Sequence, residues 1–191
     1  MKRIATIAGL LVLAAPFVVA QNSTWTSDPY HSEVDFSVTH LSISNVHGRF
    51  GKVDATLVYN EKEVSKSTVK ATIDVSTVNT GEEGRDKHLK TADFFDVANF
   101  PSATFVSTSV SKNGGKLFVN GNLTLHGVTK PVVLTVEGPT GPVEGMDKKQ
   151  HAGFTATTSI SRTAFGIGSK FPSAMVGDEV KLSIELDVAK Q

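Results

Sequence analysis

The side chains able to do acid–base or metal chemistry are few. There are six histidines, His31, His40, His47, His88, His126 and His151, and no cysteine. None of the histidines stands in a His-x-His or His-Glu-x-x-His spacing, so a zinc site is not favoured. His40 and His47 would meet across a turn, but so would any pair seven apart. His40 falls on an apolar face and reads more simply as a hydrogen-bonded core histidine. Asp86 and His88 beside Arg85 have the types of a general acid–base pair. They equally suit a salt-bridged cap, and no Gly-x-Ser-x-Gly, cysteine nucleophile or phosphate-binding glycine loop supplies the missing part of an enzyme. The second set of candidates is cationic. Arg49, Arg85, His88, Lys130 and Arg162 lie near strand ends or in irregular segments, where they would hold the polar or anionic head of an amphiphile. Structural ion pairs are the competing reading of each.

The elements that must position these groups are strands. From Val34 onward the chain alternates apolar and polar residues with a period of two. Phe36 and Val38, then Ile73 and Val75, Leu123 and Leu125, Leu134, Ile160, and Leu182 and Ile184 fall on the apolar side. We count eight such strands, with mostly short connections that suit antiparallel pairing. Lys112-Asn113-Gly114-Gly115 is a strong hairpin signal, and Gly121 in mid-strand implies a bend or bulge. The sequence is therefore read as all-β. Eight strands closed on themselves make an antiparallel barrel filled by side chains or hollow enough for one small ligand. A two-sheet sandwich is the alternative. Gln21–Pro29 reads as a loose arm anchored by Trp25, Leu41–His47 as a helical turn, Gly138–Lys149 as a loop, and Phe165–Gly177 as a second irregular segment.

The longest interruption runs from Gly84 to Pro101. It combines Arg85, Asp86, Lys87, His88 and Lys90 with Phe94, Phe95 and Phe100. So long a segment inside a compact domain is expected to be ordered and functional. Leu89, Phe94 and Phe95 would give short helical turns an apolar underside lying on the open end of the barrel. That makes the segment a lid with polar groups at its edge, or else a plug completing the core.

The first 20 residues have the form of a secretory signal peptide, with Lys2 and Arg3 followed by an apolar run from Ile4 to Val19. That run is interrupted by Pro16 and is short for a retained membrane anchor, so no permanent anchor is expected. Residues 21–191 would form a single domain. Lys and Arg number 19 and Asp and Glu 19, a balance that argues against nucleic acid as a partner. With no cysteine, stability must come from one sizeable core rather than from disulfides.

Several stretches resemble one family in order along the chain. They are Asp28–Leu41, Val46–Phe50, Thr80–Gly81 followed by Arg85–Leu89, and Asp93–Val97 with Phe100-Pro101. Gly121–Pro131, Ile160–Gly166 and Val176–Val180 complete the set. On these motifs the chain resembles the YceI-like family of bacterial periplasmic polyisoprenoid-binding proteins. The resemblance implies an extended, lipocalin-like eight-stranded antiparallel barrel with short helical turns at its mouth. It implies a polyisoprenoid, a quinone-like lipid or a related fatty amphiphile as ligand, with no cofactor beyond it. With the residues named above, His40 and Phe165 are further candidates at the ligand. Periplasmic transport or sequestration of the lipid is the expected role. A homodimer is a further expected partner. An enzyme acting on a lipid head group through Asp86 and His88, and a stress-response or adhesion module on a barrel scaffold, are the other readings.

Overall fold

A computed structural model describes residues 22–191, so the signal-peptide segment lies outside the described residues. Ten strand segments form one sheet. They are β1 (Ser23–Ser27), β2 (Glu33–His40), β3 (Ser44–Phe50), β4 (Val53–Tyr59), β5 (Thr68–Asp74), β6 (Ser102–Asn113), β7 (Lys116–Leu125), β8 (Val128–Glu144), β9 (Gln150–Ser161) and β10 (Val176–Lys190). One short helix, α1 (Glu83–Leu89), and three 3₁₀ turns complete the described residues. All strand pairs are antiparallel, in the order β1-β4-β5-β6-β7-β8-β9-β10-β2-β3, with β1 also paired to β10.

The ten segments make an eight-stranded ring. β10 pairs with β2 from Val176 to Glu185 and with β1 from Val188 to Lys190, so β1 and β2 act as one broken strand. β3 and β4 likewise follow one another, β3 on β2 and β4 on β1, with the break at Gly51 and Lys52. The eight-stranded closed barrel expected from the sequence is thus the observed fold. Closure leaves few free strand edges.

Three local expectations are corrected. The arm at Gln21–Pro29 contains strand β1, and Trp25 is buried in the core at its centre. Leu41–His47 is a hairpin rather than a helical turn. Leu41 and Ser42 both have left-handed φ, 50° and 60°, and the Ile43 amide donates to the His40 carbonyl. That is the primed turn whose twist matches paired strands, reached here without glycine. The Gly138–Lys149 segment is mostly strand, because β8 and β9 stay paired through two register shifts that accommodate Pro139 and Pro142. Only residues 145–149 are left as the turn between them.

The glycine signals hold. Gly114 and Gly115 form a two-residue turn with φ of 55° and 83°. Gly121 faces a bulge in β6, where Ser107 pairs with Gly121 and Ser109 with Asn120, leaving Thr108 extra. A Cβ on Gly121 would run into the Phe105 ring and, at 2.7 Å, the Val106 carbonyl oxygen. The side chain is absent because an aromatic ring occupies its place.

One end of the barrel is tied by His151. Its Nδ1 lies 2.8 Å from Asp187 Oδ1 on β10 and its Nε2 3.1 Å from Asp147 Oδ1 in the β8–β9 turn. Hydrogen bonding first to Asp187 and then to Asp147 raises the His151 pKa above its ordinary 6.5. A pKa raised in the folded state adds stability that is fully present below 6.5 and lost as pH rises through the folded value. Chemical denaturation followed across that window should show stability declining with rising pH, and His151→Gln should flatten the decline.

Candidate ligand cavity

Alternation fixes the wall of the barrel. On β7 the inward residues are Leu117, Val119, Gly121, Leu123 and Leu125, all buried, whereas Asn122 is exposed. On β9 they are Ala152, Phe154, Ala156, Thr158 and Ile160, and on β10 Val180, Leu182, Ile184 and Leu186. These faces do not meet in the middle. They enclose a cavity of about 240 Å³. From Leu117 to Leu125 its wall extends eight residue steps, roughly 27 Å at strand rise. The surface that the wall turns to the void is hydrocarbon, although Tyr59, Ser67, Thr68, Thr158 and Arg162 also stand in the lining.

Of the residues expected at the ligand, Phe36, Val38, Ile73, Val75, Phe94, Phe95, Leu123, Leu125, Leu134, Ile160, Leu182 and Ile184 line this cavity. Phe50, Leu57, Tyr59, Phe105, Phe154 and Ile167 line it too and were missed. Phe154 and Leu57 sit on the same alternating faces, so the period alone could have found them. Phe165 is 2% exposed but packs under the 163–165 turn, outside the cavity lining.

The expected cationic rim is corrected. His40, the last residue of β2, is exposed and outside the cavity lining, although it still pairs with Val176 of β10. Arg49 points to solvent and meets Glu33 at 3.3 Å. Arg85 spends Nε on Thr80 Oγ at 2.7 Å and an Nη on the Thr80 carbonyl at 3.0 Å. Thr80 in turn donates to Asp86 from its amide, at 2.8 Å, and from its hydroxyl. His88 bonds Asp93 at 2.7 Å. Arg85, Asp86 and His88 therefore secure the lid segment to itself and to its approach, and none lines the cavity. Among the described residues, no group of three or more His, Asp or Glu side chains is placed to hold a metal ion.

Arg162 is the exception in position but not in role. It follows Ile160 on the inner face and is 3% exposed. Its five N–H groups are all spent on main-chain carbonyls, those of Gly177, Ile167, Gly168, Phe171 and Val176, at 2.6–3.0 Å. Burial pulls its pKa below the usual guanidinium range, while Asp178 nearby acts in the other direction. With every donor used, it offers nothing to a ligand head group.

The lid end is locked against the loop that Arg162 organises. Glu82 caps α1 through the Gly84 and Arg85 amides. Leu89, Phe94 and Phe95 turn inward, as the sequence implied. The Phe94 ring stacks on Phe171 with centroids 4.9 Å apart, and Lys170 Nζ reaches Asp93 Oδ1 at 2.5 Å. Phe95 meets Phe50 edge-on at 5.5 Å. Next to it Phe100 packs on His126, whose Nδ1 lies 3.1 Å from the Phe165 carbonyl oxygen.

The sequence profile of the YceI-like domain matches residues 25–188. The chain belongs to the YceI-like family. Protein YceI of Salmonella newport is 39% identical over 180 residues, covering 94% of this chain and 93% of that one. Among solved structures, BcnA of Burkholderia cenocepacia superposes with a TM-score of 0.75 at 25% identity, over 84% of this chain and 98% of the other. The Campylobacter jejuni YCEI protein does so at 0.70 and 31%, over 80% and 90%. A polyisoprenoid binding domain from Saccharophagus degradans shares the fold, with a TM-score of 0.65 at 16% identity over 87% and 98%. The YceI-like barrel of this chain is thus the same closed ring as theirs.

Replacing Arg162 by Lys should show what the guanidinium does. An ammonium has three donors, so at least two of the five carbonyls lose their partner. The expected loss is about 3 kcal/mol of unfolding free energy, read by urea denaturation.

Proposed function

We propose that this protein binds a polyisoprenoid or a similar long-chain amphiphilic lipid inside the barrel, and carries or sequesters it in the periplasm. The observation that carries the reading is the cavity itself, a tube of about 240 Å³ walled by hydrocarbon. A closed core packed by its own side chains would have no use for such a void, which forfeits dispersion contacts. A lipid tail restores them. At ~0.8 kcal/mol per CH2, one five-carbon isoprene unit contributes on the order of 3–4 kcal/mol before ordering costs.

Family membership supports the reading, as does the name of the Saccharophagus degradans domain, which describes that protein as binding polyisoprenoid. The secretory form of residues 1–20 supports the compartment and release from any permanent anchor. Catalysis through Asp86 and His88 is disfavoured, since both are engaged in structural hydrogen bonds and neither reaches the cavity. Binding without turnover is the reading we adopt.

Mass spectrometry of organic extracts from natively purified protein tests this directly. A co-purifying long-chain isoprenoid is the expected result, and failure to recover or load any long-chain amphiphile would end the proposal. Leu123→Arg buries a charge in the wall and should abolish loading. Asn122→Ser, one residue away on the wet face, should load as the parent does.

A further inference from the structure

The two ends of the cavity are built differently, and the difference indicates where a ligand enters. At the lid end, Arg162, the Phe94–Phe171 stack and the Asp93–Lys170 pair fasten one loop to the other. At the opposite end the wall is incomplete. The β5–β6 ladder runs only from Asp74–Ser102 to Lys70–Val106, although β6 continues on β7 as far as Asn113. The next amide of β5, that of Val69, donates to the Ser107 hydroxyl at 2.8 Å instead of to a main-chain carbonyl. The Thr108 bulge follows immediately, so β6 departs from β5 at this point.

The gap is covered by the turn between β4 and β5. Its 3₁₀ residues Val64–Lys66 pack against β6, and Val64 lines the cavity. The turn has no side-chain cap at its N-terminus. Its tethers are light: Asn60 to Ser67 and to Asn22, the Glu63 amide to Asn60, and an exposed Lys66–Glu63 pair. Thr68, at the foot of the gap, is the one cavity-lining residue that is solvent-exposed among those described. Tyr59 stands beside it with its ring in the wall, edge-on to Phe154 at 6.3 Å. Tyr59, Ser67 and Thr68 bring neutral hydroxyl-bearing residues to the margin of this end, the Ser67 hydroxyl accepting from the Asn60 amide, whereas Arg162 at the lid end has every donor spent.

We propose that the lipid enters between β5 and β6 beneath the Val64 turn. Its neutral, hydrogen-bonding head, of the prenol or quinone type, stays at the Tyr59–Thr68 rim and its tail extends toward the lid. This rests on the binding reading above. It replaces the sequence-based expectation that Arg49, Arg85, His88, Lys130 and Arg162 hold the head group. Val64 is then the stopper, and the lid is a fixed plug.

The absence of cysteine allows a single labelled site to be introduced cleanly. Val64→Cys and Ala92→Cys, on the turn and on the exposed face of the lid, would each be alkylated with a bulky maleimide. Release of nitrobenzoxadiazole-labelled geranylgeraniol would then be followed by fluorescence. Alkylation at Val64→Cys should slow release by about tenfold, while alkylation at Ala92→Cys should leave it within about twofold. Unlabelled Val64→Gly, which needs no modification and keeps the turn's tethers, should speed release by about tenfold. Release that is slowed from the lid site, or indifferent to both Val64 changes, overturns the entry route while leaving lipid binding intact. A parent chain that takes up no labelled prenol overturns the binding reading, and the route with it.

Discussion

The closed end of this barrel depends on one buried guanidinium. Arg162 gathers five carbonyls, three from the loop between the 163–165 turn and β10 and two, those of Val176 and Gly177, from the first residues of β10. Unpaired, those carbonyls would be costly to bury. Bonded to a single planar donor set, they hold the loop in one shape. Phe171 and Lys170 are thereby placed where Phe94 and Asp93 meet them, and the lid has a surface to rest on. No carboxylate directly neutralises Arg162. Asp178, which influences it from nearby, directs its own oxygen to the Thr163 amide and hydroxyl. Those bonds, the hydroxyl's first, keep the Asp178 pKa below the usual carboxylate value.

A hollow centre must be supported from its margins. Here the support is aromatic. Phe36, Phe50 and Phe95 form a chain of ring contacts beneath the lid, and Tyr59 with Phe154 forms another pair at the far end. Between them the wall is mostly aliphatic, with Leu123, Leu134, Ile160 and Leu182 leaving space and Phe105 the one ring among them. Rings at the ends fix the spacing of strands that side chains in the middle do not.

The inward faces could be read from the period of two because each strand keeps its parity over its central residues. Parity fails at bulges. On β6, Ala103 and Phe105 face inward before Thr108 and Val110 does so after it, an odd-to-even switch that nothing in a run of Ser, Thr and Val announces. The lid's apolar underside was legible in Leu89, Phe94 and Phe95 because three large residues in a polar segment need cover. The cations were not. An arginine near a strand end looks the same in sequence whether it faces a ligand, a carboxylate as Arg49 does, or five carbonyls as Arg162 does. The difference is set by which distant loop returns to it, and residues 163–176 carry no period to reveal that path. Strand β1 was missed because Ser-Thr-Trp-Thr-Ser offers one buried residue, too few for a pattern.

The ring also has an order of completion. β10 is the last strand of the chain and the one on which β9, β2 and β1 all pair. Until its 15 residues have left the ribosome, both free margins of the sheet stay open and the first strands have no partner to close against. Such long-separation pairing is slow and resists forming on a partial chain. Hairpins such as β2–β3 and β6–β7 need nothing from β10, but the cylinder shuts only when that final segment arrives.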